Sequence, residues 1–203
     1  MKLTIIGGSS GTGAALADQA YIAGDQVTIV SRSGNAPGFA TVVQGSAQDP
    51  AVVAEAVRGA DAVVVAVGGS KGDDRNRAKV TEVVIDAMRA AGVKRIVVHS
   101  SLGAGDSAQQ MKQPLRWIAQ KTLAKPLADH NEQEELVTAS GLDWTIVRPS
   151  GLRDAPATGK YKALEVGQEG HLGGSISRSD VAAFILEALH TPSTIGKAIG
   201  LST

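Results

Sequence analysis

Lys2-Leu3-Thr4-Ile5-Ile6-Gly7-Gly8-Ser9-Ser10-Gly11-Thr12-Gly13-Ala14-Ala15-Leu16-Ala17 decides the fold. An apolar run stops at glycines, and alanine- and leucine-rich sequence follows at once. A strand, a tight glycine turn and a helix in direct succession open a βαβ unit. Glycines permit the turn and let backbone N–H groups approach phosphates, while the helix N-terminus adds partial positive charge. The stretch therefore predicts a dinucleotide pyrophosphate site at Gly7, Gly8, Ser9, Ser10, Gly11, Thr12 and Gly13. An ordinary strand-to-helix turn is the alternative.

Working outward, one junction recurs. Ala23-Gly24 precedes Gln26–Val30, Arg58-Gly59 precedes Asp61–Val67, Ala91-Gly92 precedes Lys94–His99, and Ser140-Gly141 precedes Leu142–Val147. Each glycine stands where a helix ends in a left-handed cap, and a β-rich run follows. Helix and strand thus alternate, as in a doubly wound parallel sheet. Strands are predicted near 2–7, 26–31, 40–44, 61–67, 94–100, 143–148 and 196–201, and helices near 12–23, 50–58, 74–91, 125–139 and 179–190. Val63-Val64-Val65-Ala66-Val67 and Arg95-Ile96-Val97-Val98 read as central strands buried on both faces. Residues 102–124 and the glycine-dense residues 152–176 read as excursions from the carboxyl ends of strands. Ligands bind there in open α/β sheets, so both are candidate pocket walls.

Composition narrows the classes. The 203 residues suit one domain over 1–203, and hydrophobic residues reach 43% with only 3% aromatic. Such a core is built from Val, Ile, Leu and Ala. Formal net charge is +0, and no basic run is interleaved with aromatics, which argues against nucleic acid. The absence of cysteine excludes disulfides and thiolate chemistry. Histidines 99, 130, 171 and 190 show no metal-ligand spacing, so no metal is expected. No apolar run reaches membrane-spanning length. A first strand at residue 2 leaves no room for a signal peptide, and a soluble cytoplasmic protein, monomer or homodimer, is expected.

Ser31-Arg32-Ser33 ends the second strand. No Asp or Glu lies between residues 26 and 48, so nothing there would bind a ribose 2′-hydroxyl and repel a 2′-phosphate. Arg32, with Ser31 and Ser33 as neutral helpers, suits a phosphate instead, which favours NADP(H) over NAD(H). A solvated surface arginine is the alternative. Gly45-Ser46-Ala47-Gln48-Asp49 follows the third strand, and Ser46 and Ala47 are placed facing an adenine. Asp49 before Pro50 is read as a helix N-cap. Val67-Gly68-Gly69 at the fourth strand's end allows close approach of the cofactor, a plain turn being the alternative. Ser100-Ser101 at the fifth strand's end is placed in the cleft or in a plain turn. His130 is read as facing the cleft or as a partly exposed helix histidine, His99 as a hydrogen-bonded buried histidine, and Glu132, Glu134 and Glu135 as a solvated face.

These residues, together with Asp129-His130-Asn131-Glu132-Gln133-Glu134, Leu142-Asp143-Trp144-Thr145-Ile146-Val147-Arg148-Pro149 and Ile176-Ser177-Arg178-Ser179-Asp180-Val181-Ala182, make the chain resemble the atypical short-chain dehydrogenase/reductases. That group includes NmrA-like proteins and the biliverdin-IXβ reductase/flavin reductases. The resemblance implies a Rossmann-like sheet of order 3-2-1-4-5-6-7 with NADP(H) extended along its carboxyl edge. It also implies a nicotinamide near Pro149 and Ser150, a cleft serine at Ser101 and a cleft histidine at His130. Two departures stand out. The spacing Gly7-x-x-x-Gly11-x-Gly13 is closer to that of the tyrosine–lysine short-chain dehydrogenases, yet no Tyr-x-x-x-Lys pair exists. Pro126 and His130 stand at the places of the tyrosine and the lysine. The expected function is NADPH-dependent reduction of a small conjugated acceptor: a flavin, quinone or tetrapyrrole-like molecule. A non-catalytic NADP(H) sensor and an epimerase or ketoreductase are the alternatives.

Overall fold

The computed structural model describes residues 1–203, the side chains of Leu115 and Gln120 excepted. In chain order the elements are β1 (Lys2–Ile6), α1 (Gly11–Ile22), β2 (Gln26–Ser31), β3 (Thr41–Gln44), α2 (Pro50–Val57), β4 (Ala62–Val65), α3 (Asn76–Ala91) and β5 (Arg95–His99). Then come α4 (Leu115–Thr122), α5 (Ala124–Thr138), β6 (Asp143–Pro149), β7 (Gly151–Arg153), β8 (Lys162–Glu165), β9 (Ser175–Ser177), α6 (Arg178–His190) and β10 (Lys197–Ser202). The main sheet runs β3-β2-β1-β4-β5-β6-β10-β8. Its pairs are parallel except β10–β8, which is antiparallel. The seven strands expected from sequence thus stand in the expected order, the seventh being β10, in an α/β Rossmann-like fold.

The local signals act as read. Gly24, Gly59, Gly92 and Gly141 all take positive φ, from 71° to 90°. Asp49 caps α2 by accepting the Ala51 N–H at 2.9 Å, with Pro50 in the first turn. Both faces of the sheet are covered, so the central strand β4 is buried at every residue. Its alternation sends Ala62 and Val64 to a core shared with Leu16 and Ala20 of α1 and Val181 and Ile185 of α6. Val63 and Val65 face Val53 of α2, Val84 of α3 and Val137 of α5. Each such aliphatic burial contributes about 1.5–3 kcal/mol.

The two excursions hold structure that the sequence pattern does not announce. α4 lies in the first, and its eight residues are too few turns to establish a helical period. In the second, β7 and β9 form a small parallel sheet, and β8 becomes the edge of the main sheet rather than a loop above it. Asp180 ties this excursion down. It accepts from the Thr158 and Gly159 N–H groups at 2.7 and 2.9 Å, while its own N–H donates to the capping Ser177 hydroxyl at 2.9 Å.

Candidate functional site

A groove follows the carboxyl edge of the sheet. Its first half, about 480 Å³, is lined by Gly7, Ser9, Ser31, Arg32, Ser46, Ala47 and Gly69, among others. Ser10, Ala66, Val67 and Gly68 also line a second cavity, of about 690 Å³, so the two halves are continuous. Gly11 and Thr12 of α1, Ser100, Ser101, His130, Pro149 and Ser150 line that second half. The first excursion contributes Leu102, Met111, Ala119 and Leu123 to its wall, and the second contributes Leu152, Gly173 and Gly174.

The glycine loop explains its own composition. Gly7 has φ of 93°, and a Cβ there would lie 2.8 Å from the Ala66 carbonyl oxygen. A Cβ at Gly13 would overlap the Gly7 carbonyl oxygen, and one at Gly8 would lie 2.9 Å from Ile29. Gly8 and Gly13 therefore do not line the groove; they let α1 and the loop close onto the sheet. Ser10 makes no side-chain cap on α1, and the first turn of α1 carries no acidic residue. The unsatisfied N–H groups there suit an anion.

Around the far end of the groove, Ser31 is buried and its hydroxyl donates to the Asn35 carbonyl at 2.9 Å. Ser33 is exposed, accepts from the Asn35 N–H at 3.3 Å and does not line the groove. Arg32 is exposed and makes no ion pair or hydrogen bond with the described residues. Asn76 donates to the Gly68 carbonyl at 2.8 Å, and Gln48 donates to Asn76 at 3.0 Å, which closes this end of the groove.

The larger cavity mixes apolar walls with four cationic or basic side chains. His130 is buried with its Nδ1 3.4 Å from Gln133 Oε1, so it is not a partly exposed helix histidine. Burial, with the Arg77 charge second, pushes its pKa down to about 3. His99 is half-buried and lines the cavity, its Nε2 3.4 Å from Thr12 Oγ1. The hydrogen bond expected of His99 is present, but the ring is not wholly enclosed: alternation along β5 puts His99 on the face of Val97 at the strand end, where that face opens. Burial lowers its pKa to about 4, helped by Arg77 and Arg178. Ser101 Oγ donates to the Leu102 carbonyl at 3.3 Å. Ser150 Oγ is buried without a partner among the described residues.

Two expectations change. Ser100 lines the cavity, but its hydroxyl donates to Glu134 Oε1 at 2.5 Å and is committed there. Glu134 is not part of a solvated face. It is 5% exposed and accepts from Arg148 Nε at 3.0 Å and Nη2 at 2.7 Å. Burial opposes the Arg148 charge, but Glu134 and Asp106 overcome this and hold its pKa above the ordinary value. Glu135 is exposed as expected, whereas Glu132 is half-buried and accepts from Arg75 Nε at 2.8 Å. Sequence reasoning missed Arg77 altogether, and it assigned no site role to Arg178, which it quoted only within a motif. Arg77 sits in the first turn of α3 among charged residues, where nothing local separates a cavity residue from a surface one.

The residues present fit a dinucleotide: an uncapped helix start, glycines that no Cβ could replace, a free arginine beyond β2 and an orphan hydroxyl in the second cavity. Fold and groove together define a Rossmann-type dinucleotide-binding protein. A family model described as NAD(P)H-binding matches residues 7–192, and the chain belongs to that family. Among curated relatives, YhfK of Bacillus subtilis, described as an uncharacterized sugar epimerase, is 31% identical over 82% of this chain and 74% of its own length. Among solved structures, ChuY of Escherichia coli, described as an anaerobillin reductase, superposes with a TM-score of 0.85. It is 28% identical and covers 100% of this chain and 97% of its own. A short-chain dehydrogenase/reductase of Veillonella parvula, solved in complex with NADP, shares the fold at a TM-score of 0.85 and 19% identity, covering 100% of this chain and 94% of its own.

Proposed function

We propose that the protein is an NADPH-dependent reductase of a conjugated acceptor such as a flavin, quinone or tetrapyrrole-like molecule. One observation carries the reading: an apolar cavity of about 690 Å³ continues directly from the dinucleotide groove. Gly11, Thr12 and the Gly7–Ser10 loop would hold the pyrophosphate, Arg32 the 2′-phosphate, and Ser150 the nicotinamide amide. When bound, the reduced nicotinamide supplies the hydride. Leu102, Met111, Leu123, Leu127 and Leu152 would hold a flat apolar ring system and exclude water. Orientation is then what the protein contributes.

Proton supply argues the same way. Reducing a simple ketone builds charge on one oxygen and calls for a positioned acid, which contributes about 10²–10⁴-fold. Tyr21 is exposed and stacked on Phe39, and Tyr161 packs edge-on against Phe184; neither lines the cavity. His99 and His130 are both neutral at pH 7. A conjugated acceptor spreads the charge and takes its proton later from water. The reductase description of ChuY supports this reading, and the missing tyrosine counts against epimerase chemistry. NADPH oxidation with FMN, menadione and a panel of small aldehydes tests it. The conjugated acceptors should turn over faster, and Ser101→Ala and His130→Ala should each cost about tenfold or less, below the range of an obligatory acid. Faster aldehyde turnover, or no turnover with any acceptor despite tight NADPH binding, would overturn it.

A further inference from the structure

The larger cavity is electrostatically one-sided. Its lining holds Arg77, Arg178, His99 and His130 and not one carboxylate among the described residues. The two arginines meet the cofactor groove at different places. Arg178 overhangs the start of α1, where a Cβ at Gly11 would lie 3.6 Å from its Nε, so it belongs to the pyrophosphate end. Asp154 pairs with it at 2.8 Å. Arg77 lines the acceptor cavity where the two halves of the groove join, and a Cβ at Gly69 would lie 3.3 Å from its Nη1.

Arg77 is unusually placed. Its side chain is only 15% exposed, and its Nη1 meets Asp129 at 3.0 Å. That carboxylate is already shared, since it accepts the Arg77 and Ala78 backbone N–H groups at 3.1 and 3.0 Å and so caps the start of α3. Arg77 Nε is buried with no acceptor among the described residues. A guanidinium so enclosed normally has its donors matched. Its field reaches across the cavity, disfavouring the charged forms of both His99 and His130.

We infer that the acceptor bears an anionic group, a carboxylate or a phosphate, which sits against Arg77 while its ring system occupies the apolar wall. This rests on the reductase reading for the word acceptor; the anion site itself can be tested without turnover. The experiment measures binding to the NADP⁺-loaded protein by calorimetry, using two pairs that differ only in charge. FMN against riboflavin probes a phosphate, and anthraquinone-2-carboxylate against anthraquinone-2-carboxamide probes a carboxylate.

In the unmodified protein the charged member of at least one pair should bind at least about tenfold tighter, the scale of one hydrogen bond to a charged group. The responding pair identifies the anion. Arg77→Gln should bring that ratio close to one while NADP⁺ affinity changes by less than about threefold, and Arg77→Lys, which keeps the charge, should retain part of the preference. Equal binding within both pairs would overturn the inference, as would a preference that survives Arg77→Gln. A loss of NADP⁺ binding in Arg77→Gln matching the loss of acceptor binding would make Arg77 a cofactor residue and overturn it too. If the charged ligands bind as expected and none is reduced, the anion site stands and the reductase reading falls.

Discussion

Arg32 stands just beyond β2, exposed and unpaired among the described residues, while its neighbours Ser31 and Ser33 form hydrogen bonds with Asn35. On the proposed reading, recognition of a 2′-phosphate would therefore fall chiefly on one side chain. Hydrogen bonds to a charged group contribute about 1.5–3 kcal/mol each. NADPH should accordingly bind at least about tenfold tighter than NADH. Arg32→Asp replaces attraction by repulsion and offers an acceptor to a ribose hydroxyl, so it should reverse the order. Calorimetry with both nucleotides checks this, and equal affinities in the unmodified protein would remove Arg32 from the specificity argument. Gly13 shows the opposite kind of residue, one that matters for what it lacks: any Cβ there would strike the Gly7 carbonyl and push α1 off the loop.

At the scale of elements, α5 is held to the sheet by more than apolar contact. Leu127, His130, Glu134 and Val137 share its buried face. Glu134 bonds Ser100, just beyond β5, and Arg148 on β6 at once. Removing one partner of a buried ion pair leaves the other uncompensated, which costs about 3–5 kcal/mol. Glu134→Ala should lower stability by that order, read as a fall in the urea midpoint. Adding Arg148→Met should recover a large part of the loss, because the stranded cation is gone. A Glu134→Ala protein with an unchanged midpoint would mean that Asp106, 2.7 Å from Arg148, suffices as its partner.

For the whole molecule, the two cavity histidines make stability depend on pH. Their folded-state pKa values, about 4 for His99 and about 3 for His130, lie below the 6.5 expected in the unfolded chain. As pH falls through 6.5, the unfolded chain therefore takes up protons that the folded protein refuses. The stabilisation is full above 6.5 and shrinks down to the folded-state values, by up to about 1.4 kcal/mol per pH unit for each histidine. Urea unfolding at pH 7 and pH 5 should show the lower midpoint at pH 5. A protein carrying both His99→Gln and His130→Gln should lose most of that difference.

Much of this protein was legible before any tertiary contact was known. Strand and helix alternation, the four capping glycines, the Asp49–Pro50 helix start and the close approach of Gly13 to the Gly7 carbonyl all rest on interactions within a few residues. Such signals read the same in a line of letters as in space. Other features depend on what packs across. Glu132, Glu134 and Glu135 differ little as letters, and only the approach of Arg148 from β6 makes Glu134 a buried anion. His99 reads as core until the end of β5 meets the open side of the cavity. β8, with two exposed and two half-buried residues, has too little apolar pattern to read as a strand, and it becomes one because β10 offers an unpaired edge. Arg77 reads as a surface charge until Asp129 from α5 fixes it inward. Local chemistry decided the elements, and the meeting of distant charges decided which polar residues the cavity holds.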